Sequence, residues 1–202
     1  MFRIINSLQS EIVDCDSSEL YQYKVYVGRN KIKTDARSSY WYLDSSSVYC
    51  CTGNGSDIYS PIMCVEIFGY TPENKMSTFN RGTDLPYING CSTKQLIPVS
   101  RPGDPTFQML LIPAGTSEQV HHIHATSRIV YVLKGQGKSI VGTDNNYVLY
   151  PLNEGDVIIL GKMIPHHFET EDTDLIVLPL HVFSSIAAEE FNHPMYNGTH
   201  RI

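Results

Sequence analysis

With 202 residues, 42% of them hydrophobic and 18% charged, the chain is long enough to bury a core without disulfide or metal staples and too apolar to be disordered. Its formal net charge of -6 argues against a duplex nucleic-acid partner, which needs lysine and arginine to neutralise phosphates. No run approaches the roughly 20 apolar residues of a membrane span, and residues 1–16, carrying Glu11, Asp14 and Asp16, do not read as a signal peptide. A soluble, cytoplasmic protein acting on a small molecule is the expectation.

In the first half, residues 21–27, 40–43 and 62–70 read as strands, and the alternating tyrosines Tyr21, Tyr23, Tyr26, Tyr40 and Tyr42 are assigned to packing. Residues 1–94 are expected to form a β-rich extension that packs on the second half of the chain. Five irregularly spaced cysteines, Cys15, Cys50, Cys51, Cys64 and Cys91, lack the spacing of a zinc ribbon or a disulfide scaffold and read as reduced thiols. The adjacent pair Cys50 and Cys51 has no mark of a lowered pKa and is read as inert. Sequons at Asn54 and Asn197 mean little without secretion.

Pro98, Pro102, Gly103 and Pro105 punctuate the join. Beyond it, short β-branched runs at 107–113, 128–134, 138–141, 146–152, 156–160 and 175–183 alternate with turn signals at 135–137, 142–146 and 153–156, the pattern of a sandwich or barrel. The run Ile129-Val130-Tyr131-Val132-Leu133 is apolar on both faces, so its outer side also needs cover. Residues 95–185 are expected to form the barrel and 186–202 a tail, with one or two helical turns near 186–191.

All eight histidines lie in the second half. His122 and His124 sit two apart at a strand entrance, so their imidazoles project from one face. His166 follows a Gly155-Asp156 turn, a strand and Pro165. Three neutral imidazoles converging inside a barrel can hold a metal ion and leave coordination positions open. By the same alternation His121 and His167 point the other way and read as structural, while His181, His193 and His200 have no partner spacing. The 193–200 tail could fold over the barrel mouth.

The stretch from Gly115 through His122, Ile123, His124 and Arg128 to Gly135 resembles the first motif of the cupin family. The stretch from Gly155 and Asp156 through Pro165 to His166 resembles the second. The resemblance implies a small antiparallel, jelly-roll-like β-barrel, all-β in class, with a metal near its mouth and frequent dimerisation, so a homodimer is expected. The sequence departs from the pattern at four places. Six residues rather than five separate Gly115 from His122, Gly161 and Met163 replace a proline and a glycine, and Arg128 replaces the glutamate ligand. Arginine stays protonated and cannot ligate, so the metal ligands are read as His122, His124 and His166. Three-histidine cupins commonly use iron(II) with dioxygen, which favours iron(II); zinc, manganese, nickel and copper also accept imidazole.

Signatures of common hydrolases, nucleotide-binding proteins and NAD enzymes are absent. Three functions remain. The first is an iron(II) oxygenase acting on a small anionic substrate, with Arg128 turned inward to pair either with that substrate or with a protein carboxylate. The second is a non-redox lyase or isomerase in which a tyrosine such as Tyr131 moves the proton, although alternation from His124 places Tyr131 on the outer face. The third is a non-catalytic small-molecule-binding module.

Overall fold

The computed structural model describes residues 1–15, 22–79, 82–100, 103–143 and 145–182. The tail expectations, including His193 and His200, lie outside the described residues. Among the described residues every regular element is an antiparallel strand apart from one short 3-10 turn. After β1 (Phe2–Ile5) come β2 (Glu11–Cys15), β3 (Tyr23–Val27), β4 (Lys31–Lys33), β5 (Ser38–Leu43), β6 (Ser47–Thr52), β7 (Asp57–Tyr59), β8 (Met63–Phe68) and β9 (Lys75–Thr78). Then come β10 (Leu85–Pro86), β11 (Ser92–Ile97), β12 (Thr106–Ile112), β13 (Ser127–Thr143), β14 (Asn146–Asn153), β15 (Val157–Leu160), β16 (His166–Glu169) and β17 (Leu175–Val182).

The chain divides into two compact units, Leu8–Arg81 and a second made of Met1–Ser7 with the chain from Gly82 onward. The division therefore falls at residue 82 rather than at 95. Strands β10 and β11 pair into the sheet of the second unit, and β1 joins its other edge by pairing with β15.

In the first unit a six-stranded sheet runs in the order β2-β3-β8-β5-β6-β9, beside the two-stranded pair β4-β7. Tyr40, Ile32, Ile58 and Cys64 form a buried cluster there. Tyr21 lies outside the described residues; Tyr23 and Tyr40 are buried and Tyr26 and Tyr42 partly so, as expected, but two of them also carry polar work. The hydroxyls of Tyr26 and Tyr40 donate to the two oxygens of the buried Glu66, at 2.6 and 2.7 Å, which satisfies a carboxylate that would otherwise be costly to bury. No disulfide joins any two of the five cysteines, and burial pushes the Cys51 and Cys64 thiols up, away from the reactive thiolate.

The second unit is a cupin-type barrel, one antiparallel sheet folded over on itself in the order β1-β15-β13-β17-β12-β11-β10, with β14 and β16 on the far half of β13. Alternation along the strands sends Leu110, Ile112, Val130, Val132, Ile158, Leu160, Phe168, Leu175 and Val177 into one core. Both faces of the run at 129–132 are buried, as its two-sided apolar character requires.

One expectation fails here. Residues 135–137 do not form a hairpin turn, because β13 runs through them unbroken for 17 residues. Its first half pairs with β15 and β17, and its second half with β14 and β16. The glycines serve to bend the strand from one layer to the other. Gly135 sits at φ 87° after a register shift between Val132 and Lys134, and a Cβ there would lie 1.9 Å from the Asp174 carbonyl oxygen. The turns at 142–146 and 153–156 do connect strands. In the latter Asp156 accepts from the backbone N–H groups of Asn153 and Ser7, at 2.9 and 3.1 Å.

Gly135→Ala combines left-handed backbone cost, about 1–2 kcal/mol, with a steric clash. It is expected to lower the melting temperature by several degrees in thermal denaturation. An unchanged melting temperature would show that the bend does not depend on glycine.

Candidate metal centre

His122 and His166 come from separate parts of the chain and are tied by an isolated antiparallel bridge. The His122 N–H donates to the His166 carbonyl at 3.2 Å and the His166 N–H to the His122 carbonyl at 2.9 Å. His124 is held by its own carbonyl, which accepts from the Met163 N–H at 2.7 Å. Met163 stands where the cupin motif has glycine, and it adopts φ 59°, the left-handed conformation that glycine reaches at no steric cost. The conformation needed at this turn is thus kept although the residue is not.

Each of the three histidines offers a ring nitrogen, and these atoms all lie within 4.8 Å of one another. The Nε2 atoms of His122 and His124 are 3.0 Å apart. The Nδ1 of His122 lies 3.1 Å from the Val120 carbonyl and that of His166 lies 2.7 Å from the Ile164 carbonyl. A carbonyl only accepts, so each Nδ1 carries the proton and each Nε2 keeps its lone pair for the cluster. Burial lowers the pKa of all three, to about 2 for His124 and about 4 for His166. Neutral imidazoles with free, convergent lone pairs are the donor set that a divalent ion requires.

His121 and His167 are not part of this cluster. Their Nδ1 atoms lie 2.8 Å from each other, His121 Nε2 bonds the Gly142 carbonyl, and His167 Nε2 meets a Glu169 carboxylate oxygen at 3.0 Å. They fasten the loop that carries His122 to β16.

The three histidines border a cavity of about 340 Å³. Its apolar wall is Leu110, Val130, Leu160, Phe168 and Val177. Arg128, buried, reaches into the same cavity. Its Nη1 donates to the Thr126 carbonyl at 3.1 Å, the Thr126 hydroxyl at 2.5 Å and the Ser127 carbonyl at 3.2 Å. Tyr131, one residue out of phase with Val130, is not among the lining residues.

Three lining residues are not legible as site residues in the sequence. His181 pairs with Arg128 across β13 and β17, and its ring centroid lies 6.4 Å from that of His124. Gln108 continues the inward stripe of Leu110 and Ile112 on β12 and is fully buried. Glu118 lies in the loop before His122, and burial raises its pKa to about 7, against the opposing effects of a backbone hydrogen bond with Phe168 and the charge of Arg128. Alternation from the core residues could have pointed to Gln108 and His181. Nothing local points to Glu118.

Residues 108–183 match the family model of the cupin domain. Among solved structures, a cupin 2 conserved barrel domain protein from Leptotrichia buccalis is 17% identical with a TM-score of 0.50, over 88% of this chain and 91% of that one. An 11S allergen from Cocos nucifera is 8% identical with a TM-score of 0.53, over 89% of this chain and 87% of that one. No curated protein sequence matches the chain significantly. Residues 108–183 are thus similar to the cupin domain, and the second unit has the cupin fold. At these identities the likeness to solved structures concerns the fold alone, and chemistry has to be argued from the site.

His166→Ala removes one of three donors and is expected to reduce bound metal, measured by elemental analysis of the purified protein, to a small fraction of the parent's. His121→Ala and His167→Ala should retain most of it. Equal losses from all three substitutions would mean that the ligand set is wrong.

Proposed function

We propose that His122, His124 and His166 hold a catalytic divalent metal ion and that the protein is an enzyme acting on a small anionic molecule, with iron(II) oxygenase chemistry as the first reading. The observation that carries it is the convergence of three neutral imidazoles on a cavity that also contains a buried guanidinium. Iron(II) bound there would supply open coordination positions for substrate and dioxygen. Arg128 attracts and orients the anionic end of the substrate, because its planar fork matches the geometry of a carboxylate and its anchorage on Thr126 and Ser127 through Nη1 fixes the direction of that fork. The apolar wall packs the remainder and limits water around the reacting centre.

A second reading, a non-redox lyase or isomerase, is favoured by one observation. Glu118 is a buried carboxyl in the same cavity whose pKa, about 7, suits general acid–base catalysis. Tyr131 does not fill that role, being outside the cavity lining.

The two readings separate under anaerobic conditions. Once a substrate is found, turnover should stop without dioxygen and be lost when zinc replaces iron; undiminished anaerobic turnover with zinc would replace the first reading by the second. Arg128→Lys should keep metal content and melting temperature yet weaken kcat/KM by about 1.5–3 kcal/mol, the range for hydrogen bonds to charged groups. Unchanged kinetics with unchanged metal and stability would remove Arg128 from the site.

A further inference from the structure

Gln108 is fully buried in β12 and lines the cavity. Among the described residues neither its Nε2 nor its Oε1 has a hydrogen-bond partner, and the same holds for Oε2 of the buried Glu118. These three orphaned polar atoms belong to two residues that line one cavity, and each buried donor or acceptor left unmade costs about 1–3 kcal/mol. Leucine would fill the position of Gln108 at lower cost, as it does at Leu110 two residues along the same stripe. The retained cost implies a ligand that makes these bonds.

We propose that Gln108 and Glu118 form a hydroxyl-recognition site, so that the cavity takes a small hydroxylated carboxylic acid. The inference rests on the reading that Arg128 and the metal receive the carboxylate. A hydroxyl is the group that matches the pair, because it both accepts and donates. Its oxygen accepts from Gln108 Nε2–H, and its proton is donated to Glu118 Oε2 or to Gln108 Oε1. The hydrocarbon skeleton lies against Leu110, Val130 and Val177. Glu118 is not positioned by chance: its backbone N–H donates to the Phe168 carbonyl at 2.9 Å, and its own carbonyl accepts from the Cys91 thiol at 3.8 Å, so the loop that carries it is held on both sides.

Two measurements on the metal-loaded full chain test this. In the first, butyrate and 3-hydroxybutyrate are titrated calorimetrically into the parent protein, Gln108→Leu and Glu118→Gln. The parent should bind the hydroxy acid about tenfold or more tightly than butyrate, the worth of one or two good hydrogen bonds, and both variants should lose that preference while binding butyrate as the parent does. Binding of butyrate with no preference for the hydroxy acid, or a preference that survives in both variants, overturns the inference but leaves the anion reading intact. Failure of the parent to bind either acid overturns the anion reading and the inference with it. In the second, thermal denaturation in the absence of either acid reads what Gln108 does for the fold. Gln108→Leu should melt at or above the parent temperature, because replacing an amide that has no protein partner by an apolar group of similar size is neutral or stabilising. A fall of several degrees would assign Gln108 a structural role and overturn the proposal.

Discussion

The backbone bridge between His122 and His166 is the constraint on which the site depends. Two residues 44 positions apart exchange N–H to carbonyl bonds, and this fixes the separation of their imidazoles before any ligand is present. Backbone carbonyls then hold the Nδ1 protons of both rings, which decides the tautomer and directs the Nε2 lone pairs inward. Three neutral imidazoles, His166 buried and His122 and His124 half-buried, with ring nitrogens within 4.8 Å of one another, cannot all be hydrated as they would be in an unfolded chain. Such a cluster is tolerated because rigid β structure over-determines it, and it is useful because a cation would satisfy all three at once.

What brings the bridge together is the long strand β13. Its first half forms the wall that carries Arg128 and Val130, and its second half pairs with β16, which begins at His166. A straight strand could not serve both layers. The bend at Gly135 lets one strand do so, and the close approach of the Asp174 backbone there leaves no room for a side chain. Core packing and site geometry are therefore properties of the same element. On β12, β13, β16 and β17 the inward stripe is apolar over most of its length and turns polar at one end, at Gln108, Arg128, His166 and His181. A hydrophobic core and a polar cavity result from one alternation.

The cavity is electrostatically mixed. A guanidinium, a carboxyl whose pKa lies near 7 and three imidazoles held neutral by burial share a space of about 340 Å³. Arg128 moderates the desolvation cost of Glu118, and burial also keeps the imidazoles unprotonated beside the guanidinium.

The sequence by itself determined the all-β class, the turns at 142–146 and 153–156, the inward phase of Arg128, and the grouping of His122, His124 and His166 apart from His121 and His167. These are properties of period-two alternation and of turn chemistry, both local. Only the tertiary structure decided that residues 135–137 bend a strand instead of closing a hairpin, since a glycine pair permits either and the approach of Asp174 selects one. It also decided that β1 joins the barrel sheet and that Gln108, Glu118 and His181 meet at the cavity. Alternation tells which face a residue takes, but not which distant strand lies opposite, and a carboxyl in a loop such as Glu118 has no period from which its direction can be read.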